Sequence, residues 1–115
     1  ACGNSEVEVG NKTTMSVDPV YDAGKVLKGE MITAKFTVKN TGKYPLVISE
    51  VKPSCSCTVA EYPDKPIAPG KNGVILANVK TSETGGGPLN KTLRIVSNTD
   101  PSITQVVIKA NVSAK

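Results

Sequence analysis

The sequence predicts an all-β protein, an immunoglobulin-like antiparallel β-sandwich of about seven strands. Three observations carry that prediction. Apolar and polar residues alternate at period two in successive runs, and no stretch shows the 3.6-residue period of a helix. The runs are short and divided by Gly, Pro, Asn and Asp turns. The apolar content is mostly Val, Ile, Leu and Ala, with one Phe, three Tyr and no Trp. That composition suits a β-branched core between two sheets.

Each element follows from its own stretch. "VYDAGKVLKGE", residues 20–30, supplies an early strand near Val20 and another near Val26. "ITAKFTVKN" sets Ile32, Ala34, Phe36 and Val38 on one face and Thr33, Lys35, Thr37 and Lys39 on the other. "NTGKYP" turns the chain. "LVISEV" begins the next strand, and its phase slips between Ile48 and Val51, which predicts a bulge. "PDKPIAPGKNG" reads as a loop. "VILANV" turns Ile75, Ala77 and Val79 inward. "SETGGGP" is a turn suited to glycine. "LNKTLRIV" points Leu89, Leu93 and Ile95 inward, with Lys91 the exception. "VVIKANV" buries Val106, Ile108, Ala110 and Val112.

A chain of 115 residues fits one domain and buries about two-thirds of its unfolded surface. Residues 1–17 have the Gly, Asn, Ser and Thr composition of a flexible tether. Residues 18–115 form the sandwich domain. "VEV" at residues 7–9 is the one place in the tether where a short edge strand fits.

The net charge is +4, from 14 basic and 10 acidic residues. Thirteen of the basic residues are scattered lysines and one is Arg94. Nucleic-acid sites favour clustered arginine and stacking aromatics, so no nucleic-acid partner is expected. The chain has no histidine, which removes His-activated nucleophiles and the commonest zinc ligand. No run reaches the ~20 apolar residues of a membrane-crossing helix. Asp18, Asp22, Asp64 and Asp100 sit beside or near Pro or Gly, as turn formers do. No D-x-D-x-D-G run for calcium is present. Asn11, Asn90 and Asn111 begin N-x-[ST] triplets.

Three cysteines remain. Ala1-Cys2-Gly3-Asn4-Ser5 resembles the end of a bacterial lipoprotein signal followed by the first mature residues. That resemblance makes Cys2 the lipid anchor, with an ordinary terminus carrying a stray thiol as the alternative. Cys55 and Cys57, in "PSCSCT", are one residue apart. In an extended strand they share a face with Cα atoms about 6.5 Å apart, at the long end of disulfide geometry. A bridge therefore needs a kink, which Pro53 marks. Three readings stay open: a structural pair, bridged or buried; a thiol-redox couple; and a Cu(I) clamp of two thiolates. No helix start lies nearby to lower a thiol pKa.

"GKVLKGE", "FTVKNTG", "PLVISEVKPSCSCT", "PIAPGKNGVI" and "NKTLRIVSN", in this order, resemble a family of secreted bacterial proteins. It is the domain of unknown function numbered 1573, frequent in Bacteroidetes. The resemblance covers residues 18 to 113. It implies an immunoglobulin-like sandwich akin to major sperm protein and Hydin-type modules, and it implies no enzyme activity. The chain departs at Ser56, where the family usually has Gly, and at Leu89, where it often has Phe. A Gly at 56 would allow positive φ between the cysteines; Ser resists it.

The expectation is a non-enzymatic module without a cofactor. It is lipid-tethered through Cys2 at the bacterial cell envelope, and the anchor is its one membrane contact. It presents a surface to a protein or glycan partner through the loops around Cys55–Tyr62 and Thr84–Leu89. The alternative is a periplasmic copper-binding or thiol-redox protein built on Cys55 and Cys57.

Overall fold

A computed structural model describes residues 12–113. Two four-stranded sheets face each other across one core. In chain order the strands are β1 (Met15–Ser16), β2 (Val20–Leu27), β3 (Met31–Asn40), β4 (Ile48–Pro53), β5 (Thr58–Glu61), β6 (Asn72–Lys80), β7 (Gly87–Ser97) and β8 (Ile103–Ser113). A 3-10 turn, Thr81–Glu83, separates β6 from β7. The first sheet runs β1-β3-β6-β5 and the second β2-β8-β7-β4.

β3 shows most plainly why these residues make strands. Its burial alternates strictly along all ten residues, with Ile32, Ala34, Phe36, Val38 and Asn40 inward. Phe36 opposes Ile75 of β6, and Ala34 opposes Ala77. β8 and β7 close the core from the other side with Val106, Ile108, Leu93 and Ile95, each fully buried. Tyr21 of β2 meets the Phe36 ring edge-on at 6.2 Å between centroids, a favoured aromatic geometry. The bulge anticipated near Ile48 is present: the β4–β7 register shifts between Ile48 and Glu50.

Three features depart from the sequence reading. β2 is one strand, not two. Its register against β8 slips between Asp22 and Lys25, where Gly24 takes φ +70° and the Asp22 carboxylate accepts the Gly24 N–H at 2.9 Å. The β2–β8 ladder is parallel, while the other ladders among the described residues are antiparallel. The reason is that the chain changes sheets at Val17–Pro19. β1 belongs beside β3, and β2 continues beside β8, with the Val107 N–H donating to the Pro19 carbonyl at 2.8 Å.

The sandwich also begins before residue 18. Thr13 is buried and forms a bridge to Thr99, and Met15 and Ser16 pair with Asn40 and Lys39. Residues 12–17 therefore pack with the domain rather than forming the end of a tether. The cause is Asn40, which is fully buried. Its side-chain oxygen accepts from the Thr13 hydroxyl at 2.7 Å and from the Gly42 N–H at 3.0 Å. Its amide nitrogen donates to the carbonyls of Tyr44, at 2.7 Å, and Ile67, at 2.8 Å. A buried amide with four partners is fully satisfied and ties three chain segments to the end of β3.

Candidate functional site

The Cys55–Cys57 pair lies where the chain passes from the second sheet to the first. β4 ends at Pro53, on the edge of one sheet, and β5 starts at Thr58, on the edge of the other. Residues 54–57 make the corner. Cys55 and Cys57 are joined by a disulfide with Cα atoms 5.2 Å apart. That spacing is shorter than an extended strand allows, because the chain turns here instead of running on. Ser56 does not need positive φ: among the described residues only glycines adopt it. The residue that replaces the family's usual glycine therefore fits without strain.

The corner is held by bonds that do not involve the disulfide. The Ser54 N–H donates to the Thr92 carbonyl at 2.9 Å, and the Thr92 N–H donates to the Ser54 hydroxyl at 3.1 Å. On the other side the Lys80 N–H donates to the Cys57 carbonyl at 2.8 Å. One clamp thus fixes the corner to β7, the other to β6. The two sulfurs differ in environment. Cys57 is 1% exposed and belongs to the core, whereas Cys55 is half-buried at its border. The Cys57 N–H donates to the Cys55 sulfur at 3.0 Å. The Thr58 hydroxyl lies 3.7 Å from the Cys57 sulfur.

In the bridged state neither sulfur is free to coordinate Cu(I). A copper site would call on the reduced pair by itself, because no three His, Cys, Asp or Glu gather among the described residues. Met15 and Met31 are the thioethers that could join a Cu(I) clamp in the sequence reading; Met31 is 54% exposed where Cys57 is buried. Cys2 lies outside the described residues, as does "VEV".

The two loop regions expected to carry binding are placed differently. Residues 58–61 are strand β5, not loop. Thr84, Gly85 and Gly86 do form an open turn, and with Pro88, Leu89, Asn90 and Lys91 they line a shallow hollow of about 310 Å³. Beside it the β2 bulge opens another of about 390 Å³, edged by Asp22, Lys25, Asn90, Lys109 and Asn111. Both are open, and the first is mainly polar.

A third surface was missed. On the outer face of the first sheet Val59, Tyr62 and Val74 are exposed. Val74, Leu76, Tyr62 and Pro63 line a hollow of about 280 Å³ with Glu61. Val59 opposes Asn78 and Glu61 opposes Leu76, two rows along the β5–β6 ladder on the same face, so Val59 and Leu76 are diagonal neighbours, with Lys35 on Leu76's far side. The signal was legible: Val74-Ile75-Leu76 is an unbroken apolar run, and a strand with one wet face alternates instead.

These features define an immunoglobulin-like sandwich whose first strand is split between the sheets. The chain belongs to the family described as "Protein of unknown function (DUF1573)", which matches residues 13–112. No curated protein matches. Among solved structures, a protein of unknown function from Porphyromonas gingivalis W83 is similar with TM-score 0.78 and 20% identity, over 90% of this chain and 48% of that one. The secreted serine protease VesC from Vibrio cholerae gives 0.64 and 15%, over 96% of this chain and 25% of that one. The ASH/PapD-like domain 7 of human CEP192 gives 0.67 and 8%, over 90% and 88%. At these identities the likeness is one of fold. The chain spans about half of the Porphyromonas protein and a quarter of the protease.

Proposed function

We propose that this chain is a non-enzymatic binding module of the bacterial cell envelope, tethered by a lipid on Cys2, that docks a protein partner on the outer face of its first sheet. The apolar strip of Val59, Leu76, Val74 and Tyr62 carries the reading. Exposed apolar surface gathered on one sheet face is a common feature of protein contact sites. Tyr62 adds the kind of residue that anchors interfaces, and Lys35 and Glu61 give the strip a charged rim. The open hollows across the second sheet lack an aromatic platform, so a glycan is the less favoured ligand.

A photo-crosslinking amino acid at Val74, and separately at Lys109 on the opposite sheet, tests the docking face in the native bacterium. Adducts of discrete mass from position 74 that disappear with Val59→Glu are expected. Equal adducts from both positions, or none from 74, refute it. Incorporation of a labelled fatty acid, lost in Cys2→Ala, tests the anchor.

A further inference from the structure

We propose that Cys55 and Cys57 form a thiol–disulfide exchange site that takes two electrons from a protein dithiol, with Cys55 as the exchanging sulfur. The proposal is independent of the docking face, which lies on the outer surface of the first sheet.

Four observations converge on it. The bridge encloses only Ser56, with a sequence separation of 2. Closing so small a loop removes little entropy from the unfolded chain, so the bond adds little by that route. The corner around it is secured by Ser54, Thr92 and Lys80, through bonds in which neither sulfur takes part. The pair can therefore open without releasing the sheets. The sulfurs are unequal, with Cys55 half-buried at the border and Cys57 sealed in the core. An incoming thiolate reaches Cys55 first. Last, the Cys57 N–H already points at the Cys55 sulfur from 3.0 Å, and a backbone donor stabilises a thiolate more than a thiol. In this corner that donor does the work a helix start does in other redox motifs.

The chemistry balances as follows. A thiolate of the partner dithiol attacks the Cys55 sulfur. The partner-sulfur–Cys55 bond forms as the Cys55–Cys57 bond breaks, and Cys57 leaves with the electron pair and takes up a proton beside the Thr58 hydroxyl. The partner's second thiolate then attacks its own sulfur in the mixed disulfide. That step closes a disulfide in the partner and expels Cys55 as a thiolate, held by the Cys57 N–H. The partner loses two electrons and the pair gains them.

The test uses the full chain carrying Cys2→Ser, so that no third thiol interferes, with glutathione as the probe. Mixing with oxidised glutathione should modify Cys57→Ser, through its free Cys55, at least about tenfold faster than Cys55→Ser, through its buried Cys57. Equilibration in glutathione buffers should convert the unsubstituted pair between oxidised and reduced forms in a single two-electron step, read by alkylation and mass. The reduced form should melt within about 5 °C of the oxidised one. Equal modification rates for the two variants overturn the assignment of Cys55. A pair that stays oxidised in excess reduced glutathione, or a reduced form that unfolds, makes the bridge a structural staple and overturns the proposal.

Discussion

Replacing Asn40 by Ala should destabilise the domain by about 3 kcal/mol. The side chain is fully buried and makes four hydrogen bonds, to Thr13, Gly42, Tyr44 and Ile67. A typical bond contributes a net of about 1 kcal/mol, and buried groups left unpaired cost more. The bond to the Tyr44 carbonyl is only part-buried, so the sum falls short of four full terms. In a domain of this size the loss corresponds to a drop of about 10–20 °C in Tm. Urea unfolding followed by circular dichroism measures it. A double-mutant cycle with Thr13→Val sharpens the test. Thr13→Val alone should cost about 1 kcal/mol, and nearly nothing once Asn40 is gone. A loss below about 1 kcal/mol for Asn40→Ala, or strict additivity with Thr13→Val, would refute the idea that this amide clamps the entering chain to β3.

Phe36→Ala should cost about 3–5 kcal/mol in the same assay, because the ring is buried between the sheets and leaves a cavity there. Gly42→Ala should lower stability by about 1–3 kcal/mol, because an added Cβ would lie 2.1 Å from the Thr13 hydroxyl and 2.7 Å from the Thr14 backbone nitrogen; a melt like the unsubstituted protein's would contradict it. Truncation through Ser16 should cost at least about 2 kcal/mol, since it removes β1 and the Thr13 partner of Asn40; an unchanged melting temperature would restore the tether boundary at residue 17. Breaking the 3.7 Å Glu50–Lys52 pair by Glu50→Gln should change stability by less than about 0.5 kcal/mol, because both side chains are largely in water.

What the sequence determined by itself was which face of each strand is buried. The alternation in residues 31–40 reappears residue for residue in β3. The slipped phase of "LVISEV" reappears as the β4 bulge. Even the apolar outer face of β6 was legible in Val74-Ile75-Leu76. These are local properties, because a side chain's direction depends only on its position along its own strand. The tertiary structure decided who pairs with whom. Nothing in "VDPVYDAG" says that β2 lies parallel to β8, for backbone hydrogen bonds are the same for every residue but proline. Thr13 reads as linker because its partner, Asn40, is 27 residues away. The cysteines read as neighbours on a strand. Only the corner between the sheets brings their Cα atoms within 5.2 Å, sets one sulfur at the border and the other in the core, and supplies the β6 and β7 contacts that hold them there.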